Sequence, residues 1–207
     1  MLPALLPLFP LPRVVLFPHA FLPLHIFEPR YRQMAAECLA SHQHFLLALT
    51  RAHEGSDLVP ASEGFFEVGC LARIVRSEPL PDGRFHLLIQ GQGAVRIREE
   101  ASTRPFRLAR WEELPFEGGD ALRPELQAAL VDSLYRFAAR YDLSPQIKRL
   151  LDLELEPVVL LSTLGMALDL DPVEKQFLLE APSLADRADR LHQILEFALE
   201  TRGPDGG

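Results

Sequence analysis

The stretch "LPLFPLPRVVLFPHAFLPLHIFEPRYRQM", Leu6–Met34, decides how this chain is read: it holds six prolines, five of them among apolar residues before the pattern turns polar at Glu28. A secretory leader needs a basic start and an apolar helix. Here no Lys or Arg precedes Arg13, and Pro3, Pro7, Pro10 and Pro12 interrupt any helix. The uncharged run from Val14 to Phe27 holds two prolines and two histidines and falls short of the roughly 18 residues a membrane span requires. The stretch therefore reads as folded protein, with "RVVLFP" and "AFLPLHIF" as short strands whose prolines occupy ends, edges or bulges. Over Glu28–Ala40 the period changes: Tyr31, Met34, Ala35, Cys38 and Leu39 recur at helical spacing, and Pro29 suits a first helical turn.

Downstream, "HFLLALT" is an apolar burst of strand length, closed by the polar loop "RAHEGSDLVPASEG". From Phe65 a period of two sets in, with Val68, Cys70, Ala72 and Ile74 on one side and Leu71, Arg73 and Val75 on the other. Pro81-Asp82-Gly83 supplies turn chemistry before "RFHLLIQ", and "AVRIREE" and "FRLARWEEL" extend the pattern. Gly91 and Gly93 lack the third glycine and following helix of a dinucleotide fingerprint and read as a β-turn or bulge. Six or seven strands with one inserted helix predict a small closed, or nearly closed, barrel.

A boundary is expected at Gly118-Gly119-Asp120, giving two subdomains, 1–117 and 118–207. Beyond it Leu126, Leu130, Leu134, Phe137 and Tyr141 trace an amphipathic helix. Ser144 before Pro145 and Asp171 before Pro172 predict two further helix starts. The run "EPVVLLSTLGMALDL" is apolar all round, as in the buried helix of a bundle, and a last helix begins at Ser183 with Asp186 as capping-box partner. The fold class is thus α+β, a β-barrel followed by four or five helices.

The 207 residues, 48% hydrophobic and 24% charged, support a real core. The net charge of -8 is uneven: 12 Arg stand against 13 Asp and Glu up to Glu117, leaving 9 basic and 16 acidic residues after it. So acidic a second half is ill suited to following phosphates, which makes nucleic acid an unlikely partner. Cys38 and Cys70 are too few for a disulfide framework and suit the reducing cytoplasm as small packed residues.

No phosphate-cradling G-x-x-x-x-G-K-[ST] and no G-x-S-x-G elbow occurs. Cys38 with His42 and His44 matches no zinc spacing, so neither a metal nor a cofactor is expected. Arginines crowd between Arg73 and Arg110. Arg96 and Arg98 are the candidates for an RNA-binding strip, and the alternative is pairing with Glu78, Glu99, Glu100, Glu112 and Glu113. The strongest binding candidates lie in the opening stretch, where Phe9, Phe17, His19 and Phe21 offer an apolar, proline-bounded surface to an extended polypeptide. A third option is a small ligand pocket where barrel meets bundle. No feature sets an oligomeric state.

Leu6–Met34 resembles the opening signature of the Lon protease N-terminal domain: a Phe-Pro strand end, Leu-Pro-Leu, then an "FE-x-RY" entry to a helix. "EVGCLARIVRSEPLPDGRFHLLIQGQGAVRI" is similar to that family's second block, and "LSTLGMALDLDPVEKQFLLEAPSLADRADRLHQIL" to its third. The resemblance implies a PUA-like pseudo-barrel followed by a helical bundle, and a role in recognising client or unfolded polypeptides. Complete Lon proteases continue into an AAA+ ATPase and a Ser-Lys peptidase, whose motifs are absent up to Gly207, so no hydrolytic activity is expected. One departure is His19, which stands where the family commonly has glycine.

Overall fold

In the computed structural model, residues 2–51, 64–118 and 122–201 are described. Most of the polar loop "RAHEGSDLVPASEG" and part of the expected boundary at Gly118-Gly119-Asp120 lie outside them. The chain divides into two compact units, Met1–Leu114 and Pro115–Gly207.

Unit 1 holds β1 (Leu5–Leu11), β2 (Phe21–Ile26), α1 (Pro29–Leu39), β3 (His44–Leu49), β4 (Val68–Pro79), β5 (Phe85–Glu100) and β6 (Arg107–Glu113). The strand order is β2-β5-β4-β3-β1-β6, and β6 pairs back onto β5. The pairing β5-β4-β3-β1-β6 therefore closes into a ring, while β2 lies alongside the first half of β5. Only β1 with β3 is parallel. Leu6, Leu8, Leu46, Ala48, Leu71, Val95, Ile97 and Ala109 fill a core cluster of these strands. Helix α1 buries Tyr31, Met34, Ala35 and Cys38, one face at the spacing read from the sequence.

The first strand differs from expectation. "RVVLFP" is not a strand; Leu5–Leu11, with Pro7 and Pro10 inside it, is. Strand β1 pairs with β6 over Leu5–Leu8 and with β3 over Leu8–Leu11. Each half thus has one unpaired flank, the setting in which a strand tolerates a proline's missing N–H. Val15, Leu16 and Phe17 are buried without joining a ladder, because a short apolar run marks burial and not backbone conformation. "RFHLLIQ" and "AVRIREE" are likewise one strand. The register steps from Leu71↔Gly93 to Ala72↔Gly91, so Gln92 is the extra residue of a bulge and no turn intervenes.

Next to this bulge the chain of residues 17–20 crosses β5: Gly91 N–H donates to Ala20 O at 2.9 Å, and His19 N–H to Gly91 O at 2.8 Å. His19 sits at φ 67°. That left-handed conformation costs an L-residue roughly 1–2 kcal/mol, which glycine avoids, and it gives a physical reason for the family's usual glycine at this step. His19→Gly is expected to raise stability by roughly 0.5–1 kcal/mol after the added freedom of the unfolded chain is subtracted. Urea denaturation reads this directly, and a loss of stability would mean that the imidazole itself holds the crossing.

Unit 2 contains α2 (Pro124–Arg140), α3 (Ser144–Leu151), α4 (Pro157–Ala167), α5 (Pro172–Leu179) and α6 (Leu184–Thr201). Helices α2 to α5 each carry proline in the first turn, where its missing N–H costs nothing. Asp171 caps α5 in a full capping box with Glu174. Ser183 Oγ accepts the Asp186 N–H at 3.0 Å at the start of α6. Ser144, in contrast, is already helical. The cap position of α3 is Leu143, without a side-chain bond, because the preceding turn is made by Asp142 at φ 54°. Helices α2 and α6 pack on each other, α2 burying Leu130, Leu134 and Phe137 and α6 burying Leu191, Leu195 and Ala198, and α4 buries Leu161, Ser162, Leu164 and Gly165.

Candidate functional site

Strand β2 alternates between the two sides of the sheet. Phe21, Pro23 and His25 face solvent, while Leu22 and Leu24 are half-buried and Ile26 is buried. The register continues this outer face over β5 and β4 in three rows: Phe21–Gln90–Arg73, Pro23–Leu88–Arg76 and His25–His86–Glu78. Phe21 is 55% exposed and Phe27, just beyond the strand, 49%. The Phe27 ring stacks on His25 at 5.9 Å, and His25 stands 4.9 Å from His86. Arg84 Nη1 donates to His25 Nε2 at 3.2 Å and its Nε to Asp82 at 2.6 Å. Val75, the extra residue at a second bulge of β4, adds another exposed apolar side chain. The result is an aromatic column on the outermost strand, flanked two strands away by arginines.

Four residues of the opening stretch were the expected polypeptide contacts, and the structure separates them. Phe9 is a core residue, its ring 4.3 Å from Tyr31 and 6.0 Å from Phe45. Phe17 is wholly buried beneath the crossing at Gly91. Both leave the candidate surface, since exposing either would remove a large aromatic from the core. His19 and Phe21 remain at the surface. Phe27 lies exposed with them, on the side to which the parity of Phe21, Pro23 and His25 carries on.

The arginine strip is largely neutralised. Arg96 pairs with Glu112 at 2.8 Å, Arg110 with Glu100 at 2.8 Å and Arg107 with Glu99 at 2.5 Å. Arg98 lies opposite Arg110 in a shallow groove with Arg96, Trp111 and Glu112. The Trp111 indole donates to Pro3 O at 3.0 Å and packs against the core cluster, so it is not a free platform for a base. Paired charges beside a committed indole are poor equipment for stacking and phosphate contact.

Cys38 is buried and its Sγ contacts His44 O at 3.4 Å, with burial pushing the thiol up to about 12. It is no thiolate nucleophile or ligand at neutral pH. His42 is lowered, first by burial and then by neighbouring His44. Among the described residues no three His, Cys, Asp or Glu side chains cluster to hold a metal ion. No helix among them is long and apolar enough to cross a membrane.

Residues 5–196 match the family model described as the ATP-dependent protease La (LON) substrate-binding domain. The chain is 28% identical over 197 residues to a Lon protease of Trichlorobacter lovleyi, covering 94% of this chain and 24% of that protein. A Lon protease of Roseiflexus castenholzii is 30% identical over 201 residues, with 95% and 24% covered. The chain thus spans about a quarter of the length of the curated relatives it matches. Among solved structures, a Lon N-terminal domain protein from Xanthomonas campestris aligns with TM-score 0.64 at 24% identity, over 93% of this chain and 98% of that one. The N-terminal domain of a Mycobacterium avium complex Lon protease gives 0.62 at 16% identity, with the same coverage. The matched span takes in nearly every described element of both units, and the chain belongs to the Lon substrate-binding domain family.

Proposed function

We infer that this chain binds polypeptide substrates on the outer face of β2, β5 and β4, as a recognition module for unfolded or client segments with no chemistry of its own. The closed strand ring supports the reading of unit 1 as a PUA-like pseudo-barrel. The single observation that carries the binding reading is the exposure of Phe21 and Phe27 beside Pro23 on the outermost strand. Large aromatics on a rigid strand are efficient anchors, because burying them in a complex removes much apolar area and costs little side-chain freedom.

Docking on the face is favoured over strand addition at the edge. Strand β2 has six residues, and Pro23 in its middle interrupts the row of donors that an added strand would use. A bound segment therefore lies across the side chains and contributes apolar groups to the Phe21–Phe27 column.

Titration of fluorescein-labelled casein, followed by anisotropy, tests this. Saturable binding is expected, weakened at least about tenfold by Phe21→Ala and less by Phe27→Ala, with both variants keeping the parent circular dichroism spectrum and melting profile. No saturation at high micromolar protein, or an affinity indifferent to Phe21, rejects the site. Phe17→Ala is unsuited to the assay, since its buried ring reports on folding.

A further inference from the structure

Resting on that substrate-binding reading, we propose that the face selects segments in which an acidic side chain stands two to four residues from an apolar one. The register sets the geometry. Phe21 and Arg73 share a row through Gln90, and Pro23 and Arg76 share the next through Leu88. Neighbouring strands lie roughly 4.8 Å apart, so the aromatic column and the arginine column are separated by about 10 Å. An extended polypeptide repeats its same-face side chains every ~7 Å, and the arginine side chain spans what is left. An apolar group seated on Phe21, Pro23 and Leu88 thus leaves a carboxylate at that spacing within reach of Arg73 or Arg76.

Charge supports the assignment. Arg73 and Arg76 are both exposed, and neither has a carboxylate partner among the described residues, unlike Arg84, Arg96, Arg104, Arg107 and Arg110. The bulge at Val75 contributes directly. By taking up one extra residue, it restores Arg76 to the outer face opposite Leu88. Glu78 sits in the third row beside His86 and His25 and repels an acid there, which confines the carboxylate to the rows of Arg73 and Arg76. The partner chemistry is therefore an acidic and apolar extended peptide.

Three labelled twelve-residue peptides test the selection. They share a central Leu-x-Trp core and carry, two and four positions later, aspartate, asparagine or lysine. At about 50 mM salt the aspartate peptide is expected to bind about fivefold more tightly than the asparagine peptide, and the lysine peptide more weakly than both. In Arg73→Glu/Arg76→Glu, with its fold checked by circular dichroism, the order should invert. Raising the salt should narrow the gap. Equal affinities for all three peptides overturn the acidic preference, as does a preference that survives charge reversal. If affinities are equal but Phe21→Ala still weakens each peptide, the substrate-binding face stands and only its selectivity falls; if no peptide binds, both fall.

Discussion

Gly91→Ala is expected to abolish the native fold of unit 1, with a loss of at least about 4 kcal/mol in urea denaturation. A Cβ at this position would lie 2.1 Å from the carbonyl oxygen of Phe17, 2.8 Å from its carbonyl carbon and 3.0 Å from Cys70 Sγ. Two of these atoms are backbone, so no rotamer change relieves the clash. Nor can the crossing chain retreat: bonds from His19 N–H to Gly91 O and from Gly91 N–H to Ala20 O hold it, and the fully buried Phe17 ring anchors it from below. Moving it outward would break both bonds and open a cavity under Phe17. Gly69→Ala should fail in the same way, with its Cβ 2.4 Å from Leu47 O and 2.6 Å from Ile97 Cδ1. Gly93→Ala is the control. Nothing lies within 4 Å of its Cβ, so the cost should stay below about 1 kcal/mol. A Gly91→Ala protein with parent-like stability would show that residues 17–20 are not held against β5.

These glycines also mark what local sequence can and cannot reveal. Periodicity located α1, because Tyr31, Met34, Ala35 and Cys38 report the face of a helix through contacts three and four residues apart. The buried stripe of α6, Leu184, Ala188, Leu191, Leu195 and Ala198, follows the same spacing. Asp171 before Pro172 was legible because capping chemistry is confined to one turn. The opening strand was not legible. Pro7 and Pro10 read as interruptions until the split pairing of β1 is known, and that pairing involves β3 and β6, the latter about a hundred residues away. Gly91 and Gly93 read as a turn or a bulge, and the bulge is what forms, because local sequence cannot tell a bulge inside a long strand from a connection between two. The site divides along the same line. Parity along β2 places Phe21, Pro23, His25 and Phe27 on one side, a local fact. The arginines across from Phe21 depend on the register of β2 with β5 and of β5 with β4, including the bulge at Val75, and no local pattern fixes that. Phe9 and Phe17 show the converse limit. Phenylalanine and proline in a short run look alike whether they face a partner or the core.

Arg187→Ala is the second substitution expected to have a large effect, destabilising unit 2 by about 3 kcal/mol. Arg187 occupies the apolar stripe of α6 between Leu184 and Leu191 and is 1% exposed, the largest fully buried side chain among the described residues. Its guanidinium carbon stands 4.4 Å from the centre of the Phe116 ring, its Nε donates to Leu178 O at 3.3 Å, and its Nη1 donates to Ser162 Oγ at 3.5 Å. These hydrogen bonds are long, so the larger contributions come from packing of the stem and from the cation over the ring in a site shielded from water. Truncation to alanine removes both and leaves a cavity among Leu178, Ser162 and Phe116. Against this loss stands one gain: the cost of holding a charge out of water vanishes with the charge. The balance is tested by Arg187→Met, which keeps the length of the side chain and drops the charge. Methionine should cost less than about 1.5 kcal/mol if packing dominates. Should methionine cost as much as alanine, the guanidinium contacts with Phe116, Leu178 and Ser162 would carry the stability, and the stem would contribute little.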